Sequence, residues 1–523
     1  MTDESKRLQV ARHVLLSSLS NYIGKFINLG IWFVLTPFVL NQLGETRYGL
    51  WALVGSVVAY GFLLDFGITG AVTKYVAEYR AKGEAEMAHS LIATALWMNT
   101  GLGLLVVLIS VLLAPVFTSV FNISPEEHKT ALWLFLLAGI GVGLTIPGGT
   151  VTAVLRGLQR FDLINLIGVT ATLVSAVATF SVLVLGGGVL GLALVGIGVT
   201  ILVQLLSSWL IYRIAPELRF GWFGPRRSHM KVLVSYSSSL FFMNLGGYLE
   251  SRSDEIVIGG FLPISSVTPY NLGRRLSTLP QTFTEQFLTL LLPMASEMHA
   301  KEDSTQLRSL YIISTRVTLA IFVSMSMVLV ILVKPLLTAW VGVEYASYSY
   351  LVVILVVASL IDTSTWPAGF VLQGMARHSP LAGMTIAAGI ANLILSILLV
   401  QRFGLLGVAL GTLLPTTIIC LGFVFPYAMR VIGTSVKDMY AKVLWPTLLP
   451  LIPMSVLLII LREIFRPSSL IMILAVGAVG PLVYLAVYLR IGANEFERGI
   501  THKIFTEILF RTGLRFKASE RSS

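Results

Sequence analysis

From one end to the other, the chain alternates long apolar stretches with short polar connections. Each stretch holds about 20 residues or more, enough to cross a ~30 Å hydrocarbon core as a helix. The pattern predicts helices at roughly 14–40, 48–69, 91–117, 131–153, 163–185, 189–212, 231–259, 266–292, 310–333, 348–373, 380–400, 405–429, 443–461 and 469–490. A membrane barrel would show short alternating segments instead. In lipid each backbone N–H and C=O must be satisfied internally, which leaves helices. The predicted fold class is therefore an all-α polytopic membrane protein of about fourteen transmembrane helices. Residues Met1 to Arg12 are hydrophilic, and the apolar run behind them continues to about Leu40. That is too long for a signal-peptide core, so it reads as the first membrane helix.

Composition strengthens the picture. Only 12% of the 523 residues are charged, against roughly 25% in a soluble protein, and the mean hydropathy is +0.84. The single cysteine, Cys420, sits in an apolar run, and the seven histidines are scattered without ligand spacing. Neither a metal site nor a cofactor is expected.

The net charge of +11 raises the question of nucleic acid, and its distribution answers it. Basic residues crowd the connections on the side of the N-terminus: Lys74, Arg80 and Lys82, Arg226, Arg227 and Lys231, Arg430, Lys437 and Lys442. The other side carries only Arg47, Lys129, Lys334, Arg402, Arg462 and Arg466. The positive-inside rule then puts both termini in the cytoplasm, as an even helix count requires. No nucleic-acid partner is implied. Along 491–523, Phe496, Ile500, Ile504, Phe505, Ile508 and Leu509 recur at helical spacing among charges. This predicts a basic amphipathic tail, either lying on the anionic leaflet or extending as a frayed polar end.

The chain also resembles itself. Glu78-Tyr79-Arg80-Ala81-Lys82 has a counterpart in Glu297-Met298-His299-Ala300-Lys301, and Arg156-Gly157-Leu158-Gln159-Arg160 in Gln373-Gly374-Met375-Ala376-Arg377. Leu190-Gly191-Leu192-Ala193-Leu194 pairs with Leu406-Gly407-Val408-Ala409-Leu410, Thr46-Arg47-Tyr48 with Thr268-Pro269-Tyr270, and Asp65 falls opposite Glu285. The matches keep their order at a nearly constant separation. They predict an N-lobe of six helices (1–213), a cytoplasmic linker (214–230), a C-lobe of six helices (231–430), two added helices (431–490) and the tail. An even-numbered repeat keeps its orientation and gives a pseudo-two-fold along the membrane normal, with a site between the halves.

A basic segment before the first helix, then Leu43-Gly44-Glu45-Thr46-Arg47-Tyr48-Gly49-Leu50-Trp51, Leu64-Asp65-Phe66-Gly67-Ile68 and a basic stretch resembles the polysaccharide exporters of the MOP (multidrug/oligosaccharidyl-lipid/polysaccharide) superfamily. These are the O-unit flippases (Wzx type) and their relatives. The resemblance implies two six-helix lobes around a central cavity and a location in the cytoplasmic (inner) membrane. Its cargo would be polyprenyl-diphosphate-linked oligosaccharide, moved from the cytoplasmic to the periplasmic leaflet. Partners would be that cargo, membrane lipids, and polymerase and chain-length proteins of surface-polysaccharide synthesis such as O-antigen; the chain is expected to be a monomer.

Charges inside membrane helices are costly and mark function by default. On the first helix Ser18, Asn21, Lys25, Asn28 and Trp32 follow at spacings of three and four, one face. The 231–259 helix repeats the device with Ser237, Asn244, Tyr248, Ser251 and Glu255, and carries Glu250, Arg252 and Asp254 nearby; Arg274 and Arg275 lie on the next. Lys25, Arg252, Arg274 and Arg275 suit a diphosphate, and Trp32 and Tyr248 can stack on sugars. The competing reading is internal pairing: Arg252 with Glu255, and Arg274 or Arg275 with Glu250 or Asp254. Asp65, Glu285, Glu250, Asp254 and Glu255 are candidate gate or coupling carboxylates; Asp65 and Glu285 equally suit helix caps. Arg316 and Asp362 have no assigned role.

Two other functions compete with this reading. Multidrug antiporters of the same superfamily often use an acidic residue in the first helix, and none lies between Arg12 and Leu40. A membrane-embedded polymerase or ligase needs outer chemistry, and the outer connections are short, as at Phe117 to Thr130. No enzyme activity is expected. A lipid II flippase stays within the preferred class.

Overall fold

The computed structural model describes the backbone of residues 3–218, 226–288, 290–494 and 497–499, and their side chains except in 3–23, 235–244 and residue 286. Within these residues every regular element is helical. The N-terminal part runs α1 (Asp3–Ala59), a 3₁₀ segment (Tyr60–Asp65), α2 (Ile68–Lys82), α3 (Ala85–Val120), α4 (His128–Gly157), α5 (Phe161–Val184), α6 (Gly188–Ile214) and α7 (Arg227–Phe261). Then come α8 (Val267–Ser277), α9 (Leu279–Leu288), α10 (Leu291–Ala300), α11 (Ser304–Trp340), α12 (Ser349–Gly374), α13 (Ser379–Phe403) and α14 (Leu405–Ile419). The rest is α15 (Phe425–Ile432), α16 (Val436–Met439), α17 (Trp445–Leu448), α18 (Leu451–Phe465) and α19 (Leu470–Val487).

Eleven helical stretches among the described residues are long and apolar enough to cross a membrane. One of them, Gly24–Asp65, is 42 residues long and bends at Gly44, whose φ of 74° and ψ of 167° suit only glycine. The tail beyond residue 499 and part of the linker (219–225) lie outside the described residues.

Helix ends depart from the hydropathy reading where backbone chemistry intervenes. The predicted 48–69 helix stops early because Phe66 and Gly67 are both left-handed, which no continuous helix accepts. The predicted 266–292 helix is broken into α8, α9 and α10. Pro280 and Pro293 stand just inside the second and third pieces, where a missing N–H costs nothing. Discontinuous helices of this kind line sites in transporters. Two π-helical turns, Cys420–Val424 and Tyr440–Leu444, each run into an X–Pro pair, Phe425–Pro426 and Trp445–Pro446. A proline ring clashes with the carbonyl one turn back, and the wider turn relieves it.

The chain forms two compact units, 1–275 with 379–419, and 276–378 with 420–523. In the first, Ile68, Val72 and Val76 of α2 pack against Leu91 and Ile92 of α3 and Val154 and Leu155 of α4. In the second, α11 is the central helix. Its Arg316 pairs with Glu497 at 2.7 Å, both nearly buried, and Arg316 also donates to the Lys442 carbonyl. That accounts for a cation unassigned from sequence. Asp362 accepts from the Trp366 indole at 3.1 Å.

The sequence matches recur as matched geometry, each inside its own unit. Glu78 pairs with Lys82, and Glu297 with Lys301. Gln159 and Ala376 both have φ of 57°. The Arg160 N–H donates to the Leu155 carbonyl and the Arg377 N–H to the Leu372 carbonyl, the same helix-ending motif. A Cβ on Gly157 would lie 2.9 Å from Val76 and 3.0 Å from the Thr73 carbonyl; one on Gly374 would lie 2.7 Å from Ala295 and 3.0 Å from the Leu292 carbonyl. Each glycine thus lets a helix end touch a neighbouring helix.

Gly157→Ala and Gly374→Ala should each lower stability by about 1–3 kcal/mol through overpacking. Gly101→Ala, where a Cβ meets nothing within 4 Å, should be neutral or stabilise by up to about 1 kcal/mol. Thermal unfolding of the three variants in detergent checks the contrast.

Candidate functional site

The first unit contains two adjoining chemical environments. One is a buried polar network on α7, α8, α13 and α14. Asp254, fully buried, accepts on Oδ2 from Arg274 Nη1 at 2.8 Å, from the Tyr270 hydroxyl at 2.7 Å and from the Thr412 hydroxyl at 3.0 Å. Thr412 in turn accepts from the Asn392 amide, whose Oδ1 accepts from Ser253, both at 3.0 Å. Asn271 donates to Glu255 at 3.2 Å, and Arg274 also donates to the Glu250 carbonyl at 3.3 Å. Asp254 Oδ1, Glu255 Oε2 and Asn271 Oδ1 are buried with no hydrogen-bond partner among the described residues.

The other environment is a cavity of about 440 Å³ between α1, α4, α5 and α6. Trp32, Tyr48 and Trp51 supply aromatic faces, Leu137 and Val195 aliphatic ones, and Arg275 stands in its wall. The Arg275 guanidinium lies over the Trp32 ring, 5.7 Å from its centroid, within cation–π range. Tyr48 is 1% exposed, and its hydroxyl has no hydrogen-bond partner among the described residues.

These facts sort the sequence candidates. The structure brings Arg274, Asp254, Glu255 and Glu250 together, so Arg274 is held in an ion pair rather than presented to a ligand. Its neighbour Arg275, about 100° round the helix, faces the cavity instead with Trp32. The expected Arg252–Glu255 pair is absent among the described residues; Arg252 is exposed. Lys25 is half-buried. Asn28 accepts from the Thr172 hydroxyl of α5 at 2.6 Å. Tyr248 packs near Tyr60, ring centroids 6.1 Å apart, and its carbonyl accepts from the Tyr60 hydroxyl. The side chains of Asn21 and Asn244 lie outside the described residues. Asp65 accepts from the Thr69 N–H and hydroxyl, the bonds of a helix start, and from Asn99 at 3.1 Å. Glu285 is exposed on α9, in the second unit.

Hydropathy reasoning missed Asn99, Asn392 and Thr412. Asn99 is fully buried and bonds Thr150 of α4 at 2.9 Å as well as Asp65, tying α3 and α4 to the turn before α2. A lone amide in an apolar helix was the available signal.

The model of the polysaccharide biosynthesis protein family matches residues 11–299, more than half of the chain. The chain belongs to this family. A curated relative, "Probable low-salt glycan biosynthesis flippase Agl15" of Haloferax volcanii, is 24% identical over 90% of this chain and 95% of its own length. Among solved structures, lipid II flippase MurJ in an inward closed conformation superposes with a TM-score of 0.71 at 14% identity, covering 91% of this chain and 99% of that one. An inward-facing multidrug resistance MATE transporter of the MOP superfamily superposes with a TM-score of 0.61 at 16% identity, over 78% and 98%. This member of the polysaccharide biosynthesis family is thus a multi-pass membrane protein with the MOP-superfamily fold.

Removing one partner of a buried pair strands the other charge. Arg274→Met should lower stability by about 3–5 kcal/mol, and Arg274→Met with Asp254→Leu should recover most of the loss. Unfolding in detergent measures both; equal instability of the single and double variants would deny the coupling.

Proposed function

We propose that this chain is a flippase that moves polyprenyl-diphosphate-linked oligosaccharide from the cytoplasmic to the outer leaflet by alternating access. The observation that carries this reading is a near-full-length match to a relative named a glycan-biosynthesis flippase, joined to a cation–aromatic cavity in a membrane protein. Arginine forks suit phosphate oxygens and stack on rings, and Arg275 beside Trp32 offers both.

In this reading the chain works as a monomer in the cytoplasmic membrane with both termini inside. Residues 1–213 and 231–430 form the two lobes of six helices and 431–490 the last two of fourteen. Lys25, Arg252 and Arg275 attract the diphosphate, and Trp32 and Tyr248 border its path. Arg274 acts from within the Asp254 network. Asp254 and Glu255 are the carboxylates assigned to coupling, Asp65 holds the turn before α2, and Glu285 keeps no assigned part. Transport rather than catalysis is the activity, and polymerase and chain-length proteins are the expected neighbours. A multidrug antiporter finds less support: the stripe on α1 is cationic and has no carboxylate between Arg12 and Leu40.

A diphosphate carries about two negative charges. A potential of 100 mV, negative inside, favours outward movement by roughly 2.3 kcal/mol per charge, about 4–5 kcal/mol in all, a bias of about a thousandfold. In vesicles holding the purified protein, outward movement of a lipid-diphosphate sugar should follow an imposed potassium–valinomycin potential at equal pH and sodium. Arg275→Ala should slow it at least tenfold at normal protein abundance. Movement that ignores potential and returns only with a pH or sodium gradient would replace potential drive with ion coupling. Unimpaired transport in Arg275→Ala would remove the cationic site.

A further inference from the structure

The cavity of the first unit has a largely apolar and aromatic lining. No Asp, Glu, Asn or Gln is among its lining residues. Thr36 and Thr145, which do line it, give their hydroxyl hydrogens to their own helices, to the Trp32 and Gly141 carbonyls, each at 2.8 Å. Ser175, Thr179 and Thr200 add scattered hydroxyls, and Arg275 is the one charged residue among those lining the wall. An oligosaccharide leaving water would lose more hydrogen bonds than so few hydroxyls replace. An apolar body with an anionic head matches the apolar lining and the guanidinium.

The network around Asp254 fills the space among α7, α8, α13 and α14 with bonded polar groups, whereas the space among α1, α4, α5 and α6 is open.

We propose that this cavity seats the isoprene units next to the diphosphate of the carrier lipid, with Arg275 on the phosphates. The proposal rests on the flippase reading and deepens it. At about 440 Å³ the cavity falls within the ordinary range of ligand pockets, roughly 300–1,000 Å³, and takes the head end of the chain rather than its whole length. Lipid tails are as apolar as the wall, so no hydrophobic gain drives entry. The pocket contributes shape, and it fixes how far the diphosphate stands from Arg275.

Two glycines make the test clean. Gly55 and Gly196 line the cavity, and a Cβ built on either meets no atom within 4 Å. Gly55→Leu and Gly196→Leu should therefore fill it without displacing the backbone. The full chain in nanodiscs is titrated with geranylgeranyl diphosphate, inorganic diphosphate and phosphatidylglycerol, read by tryptophan fluorescence. Each filled variant should bind geranylgeranyl diphosphate at least tenfold more weakly and inorganic diphosphate as the wild type does. Arg275→Gln should weaken both. Wild-type affinity for geranylgeranyl diphosphate in folded filled variants overturns the pocket assignment while leaving the flippase reading intact. Equal displacement of the probe by phosphatidylglycerol also overturns it, in favour of a general lipid site. A wild-type chain that binds no inorganic diphosphate removes the flippase reading's phosphate site itself. Should a filled variant not fold, a photoreactive geranylgeranyl diphosphate on the wild type decides. Crosslinks within 32–55 or 134–145 support the seat, and crosslinks elsewhere alone refute it.

Discussion

A fully buried carboxylate is tolerable only when donors converge on it, and at Asp254 three do. Arg274, Tyr270 and Thr412 share its Oδ2. The network fixes the register of α7 against α8, α13 and α14, because sliding any of these helices by a turn would strand a charge or a hydroxyl in an apolar interior. It also decides the orientation of α8. With Arg274 turned to Asp254, the helical period leaves Arg275 facing Trp32 and the cavity. Two adjacent arginines of one chemical type thus take different places, one in the ion pair with Asp254 and one over the Trp32 ring at the cavity wall.

Broken helices serve the same end. Hydrophobic drive between helices is weak in lipid, and close approach and polar bonds do the joining. The glycines at the ends of α4 and α12 let helices touch, Asn99 ties the turn after the 3₁₀ segment, and Arg316 with Glu497 secures the second unit's C-terminal end. The prolines in the 276–300 region and the π-helical turns ahead of Pro426 and Pro446 interrupt helices locally without leaving the helical class.

The helical class, the reach of most helices and the repeated turns were legible because each rests on a local rule. Hydropathy marks lipid contact, and the helix-ending motifs at Gln159 and Ala376 follow from short sequences. The spacing of Lys25, Asn28 and Trp32 correctly put them on one helix. It did not say which neighbour they meet, and Asn28 is engaged by Thr172 of α5. Charge counting likewise could not separate Arg274 from Arg275, since the choice depends on Asp254 arriving from another helix. Asn392 and Thr412 were invisible for the same reason: a cross-helix hydrogen bond has no period in sequence. The interruption of the 266–292 helix was readable at its prolines but hidden by the hydropathy average.

The matched turns link sequence to structure more firmly than the charges do. Gln159 and Ala376 share a φ of 57°, the residue after each donates to a carbonyl five positions back, and the glycine two positions before each lies close against a neighbouring helix. The Asp254 network and the cavity have no such repeated signature, because each depends on side chains that arrive from several helices. Arg275 of α8 stands over the Trp32 ring of α1 at the cavity wall. Charge in its wall and volume beyond it are what a membrane-embedded anion with an apolar tail requires.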